Sequence, residues 1–127
     1  MKKYILIVFV MFTALMSVNA QKKVKNLGVE EFEKGSKATG TVILDVRTPE
    51  EYQTGHLKNA ILLDISEQSF SASLDKLDKS KTYYVYCQAG GRSTTAAEIM
   101  AEKGFKKVYN LSGGIAAWKK AQKTVEK

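Results

Sequence analysis

Two apolar, β-rich runs limit the fold more than any other feature: Thr41-Val42-Ile43-Leu44-Asp45-Val46 and Thr82-Tyr83-Tyr84-Val85-Tyr86. A strand with one wet face alternates polar and apolar residues. These runs do not alternate, so both of their faces are covered. The stretches between them have helical character. Thr48-Pro49-Glu50-Glu51 reads as a helix start with a capping box. Gly28 to Lys34 has helical spacing at Val29 and Phe32, with Gly35 as its expected end. Ser93 to Lys103 carries a broad apolar face of Ala96, Ala97, Ile99, Met100 and Ala101, and Gly104 stands where a C-terminal glycine belongs. Val108 to Leu111 reads as another strand, and Ser112-Gly113-Gly114 turns into a last helix from Ile115 to about Gln122. Asn59 to Asp64 is a further candidate for a buried strand, and Ser66 to Leu77 gives a weak helical pattern. Strands separated by helices imply an α/β fold: a parallel sheet of four to five strands with helices on both faces and right-handed crossovers. Ligands of such sheets bind beyond the carboxyl ends of the strands.

The first twenty residues stand apart from this pattern. Lys2 and Lys3 precede an apolar run from Tyr4 to Ser17, and Val18-Asn19-Ala20 suits a peptidase site. The run is short for a membrane span of about 20 residues, so residues 1–20 read as a cleavable secretory signal and 21–127 as one domain. The style of the segment is bacterial, which implies a periplasmic or secreted protein, off the membrane once the signal is cut. Removing residues 1–20 from the 127 leaves 107; removing Lys2 and Lys3 from the 20 basic residues leaves 18 against 13 acids, a formal +5.

That domain holds one Cys and one His. A disulfide within the chain is excluded, and a structural zinc site, which takes four N/S ligands, is not expected. No cofactor is implied. The solitary thiol lies in Cys87-Gln88-Ala89-Gly90-Gly91-Arg92-Ser93, between a strand and a helix. Its position puts Cys87 at the carboxyl edge of the sheet. Gly90 and Gly91 allow a tight curl and a close approach to backbone N–H groups. The following helix adds its positive end, and Arg92 adds a permanent cation. All of these favour a thiolate, so the Cys87 pKa should fall below the usual value of about 8.5. A buried, inert Cys is the alternative, but Gln, Ala, two Gly, Arg and Ser cannot extend a core.

The chain resembles the rhodanese family in three segments: Leu44 to Leu57, Cys87 to Ser93, and Leu111 to Trp118. The resemblance spans about Val24 to Ala121 and implies a single rhodanese-like domain with sulfurtransferase activity. It implies that Cys87 takes sulfane sulfur from a small anionic donor such as thiosulfate, becomes a persulfide, and passes the sulfur to cyanide, a thiol or a protein. Cys87 and Arg92 are then the catalytic candidates; Gln88, Ala89, Gly90, Gly91, Ser93 and Arg47 are the substrate-binding ones. The six residues from Cys87 to Arg92 match the family's sulfur-handling loop rather than its longer phosphate-handling one. A non-catalytic or persulfide-carrying binding module and a thiol redox protein are the competing readings. With no second Cys, a redox cycle would need an external thiol.

Several residues carry two readings. Asp45 and Arg47 are either scaffolding beneath the loop or, for Arg47, a direct contact to substrate. Buried charges are normally paired. His56 and Trp118 read as structural support, although Trp118 could also wall the pocket. Lysines 106, 107, 119, 120 and 123 are either a solvated surface or a field that draws anionic donors to the site. Nothing in the chain suggests nucleic-acid binding.

Overall fold

The computed structural model describes residues 24–127. The expected signal segment and its cleavage point lie outside the described residues. Five parallel strands form one sheet in the order β1-β5-β4-β2-β3. They are β1 (Val24–Leu27), β2 (Thr41–Asp45), β3 (Ile61–Leu62), β4 (Thr82–Tyr86) and β5 (Lys107–Leu111). The helices are α1 (Val29–Ser36), α2 (Pro49–Thr54), α3 (Phe70–Leu74), α4 (Gly91–Glu102) and α5 (Gly114–Lys120). The expected α/β sheet with helices on both faces is therefore the fold.

The central strand shows why both faces are dry. Tyr83, Val85 and Cys87 point to one side, among Leu44, Ala96, Ala97, Met100 and Phe105. Tyr84 and Tyr86 point to the other, among Phe32, Leu57, Ile115 and Trp118. The alternation is the two-residue period of a strand, and both parities are apolar. Helices α3 and α4 thus cover one face, and α1 and α5 the other.

Three local expectations are corrected. Val24–Leu27 is a strand, β1, where the sequence reading placed no element; it pairs in register with Val108–Leu111. Its exposed Lys25 and Asn26 break the apolar pattern because it is an edge strand. Asn59 to Asp64 is not a buried strand. Only Ile61 and Leu62 pair with β2, and Ile61 is 51% exposed at the sheet edge. Gly35 does not end α1, which continues to Ser36. Gly35 is inside the helix because the Tyr84 ring fills the space a side chain would need, with its Cζ 2.9 Å from an ideal Cβ.

Candidate active site

Helix α2 begins as its sequence predicts. The Thr48 side chain accepts from the Glu51 N–H, Glu51 reaches back to the Thr48 N–H, and Pro49 opens the first turn. Strand β2 ends three residues before Thr48, at Asp45. Its carboxylate accepts from the Arg47 N–H at 3.0 Å, from Arg47 Nε at 3.0 and 3.1 Å, and from Arg47 Nη2 at 2.7 Å. Tyr86 Oη donates to the same carboxylate at 2.6 Å and accepts from the Leu57 N–H at 3.0 Å. Arg47 Nη2 also donates to the Gly55 carbonyl at 2.7 Å. Arg47 and Asp45 are buried. This network ties β2, β4 and the Gly55–Leu57 segment together just below the carboxyl edge.

Above it lies the Cys87 loop. The chain leaves β4 at Tyr86, turns through Gly90 with φ 108°, and enters α4 at Gly91. Gly90 needs that left-handed conformation, which other residues rarely adopt. The turn aims the Gly90 N–H at Cys87 Sγ, 3.0 Å away, and Ser93 Oγ donates to the same sulfur at 3.3 Å. Burial pushes the Cys87 thiol up. Hydrogen bonds from the Ser93 hydroxyl and from the N–H groups of Ser93, Gly90 and Ala89 oppose it, and the net direction is down. Hydrogen bonds to the charged form favour that form. Gln88 and Ala89 are exposed above the sulfur, with Gln88 Oε1 3.4 Å from Arg47 Nη1.

The loop is clamped from three sides. The N–H groups of Ile115 and Ala116, in the first turn of α5, donate to the carbonyls of Cys87 and Gln88 at 2.9 and 3.1 Å. Gly113 and Gly114 both have positive φ, and a Cβ on Gly114 would stand 2.6 Å from the Cys87 carbonyl. Thr94 Oγ1 donates to the Gly90 carbonyl at 2.7 Å and is itself held by the buried Asn110 Nδ2 at 3.1 Å. On the third side Arg92 donates to Glu51, with Nη1–Oε1 2.7 Å and Nη2–Oε2 2.8 Å. The fork holds the Glu51 carboxyl down at about 2.

The family model described as "Rhodanese-like domain" matches residues 28–121. The chain belongs to the rhodanese family. A thiosulfate sulfurtransferase, GlpE, of Coxiella burnetii is 42% identical over 79 residues, covering 61% of this chain and 71% of that protein. A tRNA uridine(34) hydroxylase of Chlamydia muridarum is 34% identical over 108 residues, covering 80% of this chain and 33% of that protein. The chain thus spans about a third of the length of the hydroxylases it matches. Among solved structures, a rhodanese-related protein from Thermoplasma volcanium superposes with a TM-score of 0.72 at 28% identity, covering 80% of this chain and 97% of the other.

The rhodanese fold brings Cys87, Gln88, Ala89, Gly90, Gly91, Arg92 and Ser93 together at the end of β4. It separates other candidates from the sulfur. Arg47 is 1% exposed and braces the site: Asp45 and Gly55 take Nε and Nη2, while Nη1 reaches Gln88 Oε1 in the loop at 3.4 Å. His56 lies off the loop, its ring stacked on Tyr52 at 3.8 Å and its Nδ1 3.0 Å from the Tyr52 carbonyl. Its backbone pairs with Glu126. Trp118 packs on the face opposite Cys87 and donates to the Thr124 carbonyl at 2.9 Å, so it does not wall the sulfur. It lines instead a groove of about 690 Å3 with Thr41, Ile43, Leu57 and Ile61, at the amino end of β2 and away from the loop.

Three contributors escaped the sequence reading. Glu51 reads there only as a cap and packing residue, and Tyr86 and Asn110 only as strand residues. Each acts on a partner distant in the chain or on another element, such as Arg92 on Glu51 across 41 positions. Spacing within one element carries no trace of that. The lysines are also placed. Lys107 pairs with Thr82 at the start of β4, the end opposite Cys87. Lys106 precedes it, and Lys123 is held by Glu30 and Glu33 at 3.2 and 3.0 Å. Lys119 and Lys120 stand in the last turn of α5, whose first turn is the end that holds the loop.

Proposed function

We propose that this rhodanese domain is a sulfurtransferase that carries sulfane sulfur as a persulfide on Cys87. The observation that supports it most is the sulfur itself, buried at the carboxyl edge and accepting hydrogen bonds from the Gly90 N–H and Ser93 Oγ. The Cys87 thiolate attacks the outer sulfur of a donor such as thiosulfate. An S–S bond forms to Cys87, the donor's own S–S bond breaks, and its electron pair leaves with sulfite. A cyanide, thiol or protein acceptor then removes the outer sulfur and restores the thiolate. Splitting the transfer in two is covalent catalysis with ping-pong kinetics. The N–H groups that face Sγ, together with the amino end of α4, stabilise negative charge on the persulfide. Asp45 and Arg47 support the loop from below. We place the reaction outside the cytoplasm, after removal of residues 1–20, in the periplasm or medium.

Intact-mass measurement after incubation with thiosulfate tests this reading. Wild type gains one sulfur atom that cyanide removes; Cys87→Ser gains none and transfers none. Absence of the gain in wild type would favour a binding or redox role. The rate of Cys87 alkylation against pH supplies a second check, with an inflection expected below about 8.5.

A further inference from the structure

Both arginines at the carboxyl edge are engaged. Arg47 is spent on Asp45 and Gly55 beneath the loop, and Arg92 is matched by both oxygens of Glu51. The positive charges that the loop sequence brings to the sulfur are therefore cancelled by carboxylates within hydrogen-bond distance.

The rest of that edge is acidic. In the described residues, the segments that follow the five strands, through the first turn of each next helix, contain no lysine. They do contain Glu30, Glu31, Glu50, Glu51, Asp64 and Glu67. Lysines such as Lys34, Lys37, Lys79, Lys81, Lys106 and Lys107 gather at helix ends and in the segments that lead into strands. In a parallel sheet those two sets of connections lie at opposite ends. The lysines that lead into strands thus lie at the pole away from Cys87; Lys123, after α5, is an exception, since it holds Glu30 at 3.2 Å and Glu33 at 3.0 Å. Acids in helix first turns have a local reason, because they complement the helix dipole. Their sum at one pole still sets the potential that an approaching donor meets.

We propose that Glu51, by neutralising Arg92 at an acid-bordered edge, sets this site for sulfane-sulfur donors without net negative charge, above all persulfides of amine-bearing thiols, over small dianions such as thiosulfate. The inference rests on the persulfide reading above and deepens it: thiosulfate remains a donor, at a disadvantage. With the favoured donor R–S–SH, the Cys87 thiolate bonds to the outer sulfur. The donor's own S–S bond breaks, and R–S⁻ departs with its electron pair. Cys87 is left as the persulfide, and no oxidant or reductant is consumed.

Glu51 is a positioning and charge-setting residue here, not a catalytic one, and Glu51→Gln separates that role from a merely structural one. Glutamine can serve in a capping box, so α2 keeps its start while Arg92 loses its counter-charge. The first half-reaction is followed with thiosulfate and with cysteamine persulfide, at low and high salt. A freed cation about 8 Å from a dianion in water changes its attraction by about five- to tenfold. The kcat/KM for thiosulfate should therefore rise about that much in Glu51→Gln, while that for cysteamine persulfide stays level or falls. In wild type, thiosulfate should gain from added salt, since like charges are screened, and cysteamine persulfide should not. Glu50→Gln, outside the fork, should favour thiosulfate in the same direction by a smaller factor. Equal loss with both donors in Glu51→Gln, or a donor ratio indifferent to salt and to both substitutions, would overturn the inference. If instead neither donor adds sulfur to Cys87, the persulfide reading fails first.

Discussion

The molecule contains two arginine–carboxylate pairs at one sheet edge, and they do different work. Asp45–Arg47 joins residues two apart, at 2.7 Å, with side chains 0% and 1% exposed. Glu51–Arg92 joins residues 41 apart at the same distance, with side chains 31% and 39% exposed. The first has further partners in Tyr86 and Gly55, so every polar atom that faces the interior is bonded. Such a pair adds little net stability over a hydrophobic replacement, yet breaking it strands a buried charge. The second pair is half in water, where ion pairs are worth about 1 kcal/mol or less. Its effect falls on the loop above it, through the position of Arg92 and the charge a donor meets.

Breaking the buried pair should give the largest effect. Asp45→Ala leaves the Arg47 guanidinium uncompensated and should cost about 3–5 kcal/mol in urea unfolding. A cost below that of Glu51→Ala would dissolve the contrast. Tyr86→Phe comes next. It removes a donor to Asp45 and leaves the buried Leu57 N–H without an acceptor, a loss of about 1–3 kcal/mol. Glu51→Ala removes half of the capping box as well as the ion pair, and should cost about 1 kcal/mol for the cap. Glu51→Gln keeps the cap and should cost less, so the difference between the two variants isolates the helix start from the charge.

The smallest expected effect is the pH dependence of the exposed pair. The Arg92 fork lowers the Glu51 carboxyl from 4.5 to about 2. A carboxyl whose folded value is depressed stabilises the fold above its unfolded value and loses that contribution as pH falls toward the folded one. The stability difference between wild type and Glu51→Gln should thus be flat above pH 4.5 and shrink between 4.5 and about 2. Because the pair is partly solvated, its full size should be about 1 kcal/mol or less. Chemical denaturation across that range measures it, and a difference that grows toward acid would contradict the ion pair.

The same contrast marks what was legible in the sequence. Asp45 and Arg47 lie in one short segment, and their pairing follows from a strand end that buries a charge. The cap at Thr48, the turn at Gly90 and the paired glycines at 113 and 114 are likewise local, and each was readable from residue type and spacing. The edge strand β1 was not, because its four residues carry no periodicity of their own and are strand only by pairing with β5. Asn59 to Asp64 misled for the converse reason. An apolar run signals burial on a sheet, but here only Ile61 and Leu62 form strand at the edge of β2, with Ile61 exposed, and Leu63 and Ile65 continue beside the end of β2 through bonds to the Asp45 and Val46 carbonyls.

By itself, the sequence determined the layers of the fold, the solitary thiol and the loop that curls around it, since each depends on neighbours within a few residues along the chain. Tertiary structure decided which charges meet. It sent Lys107 to the far end of the sheet, turned Arg47 inward, and brought Glu51 to Arg92. Electrostatics acts through space at distances of a few ångströms, so the charge that Cys87 presents to a donor could be read only after folding had placed α2 beside the loop.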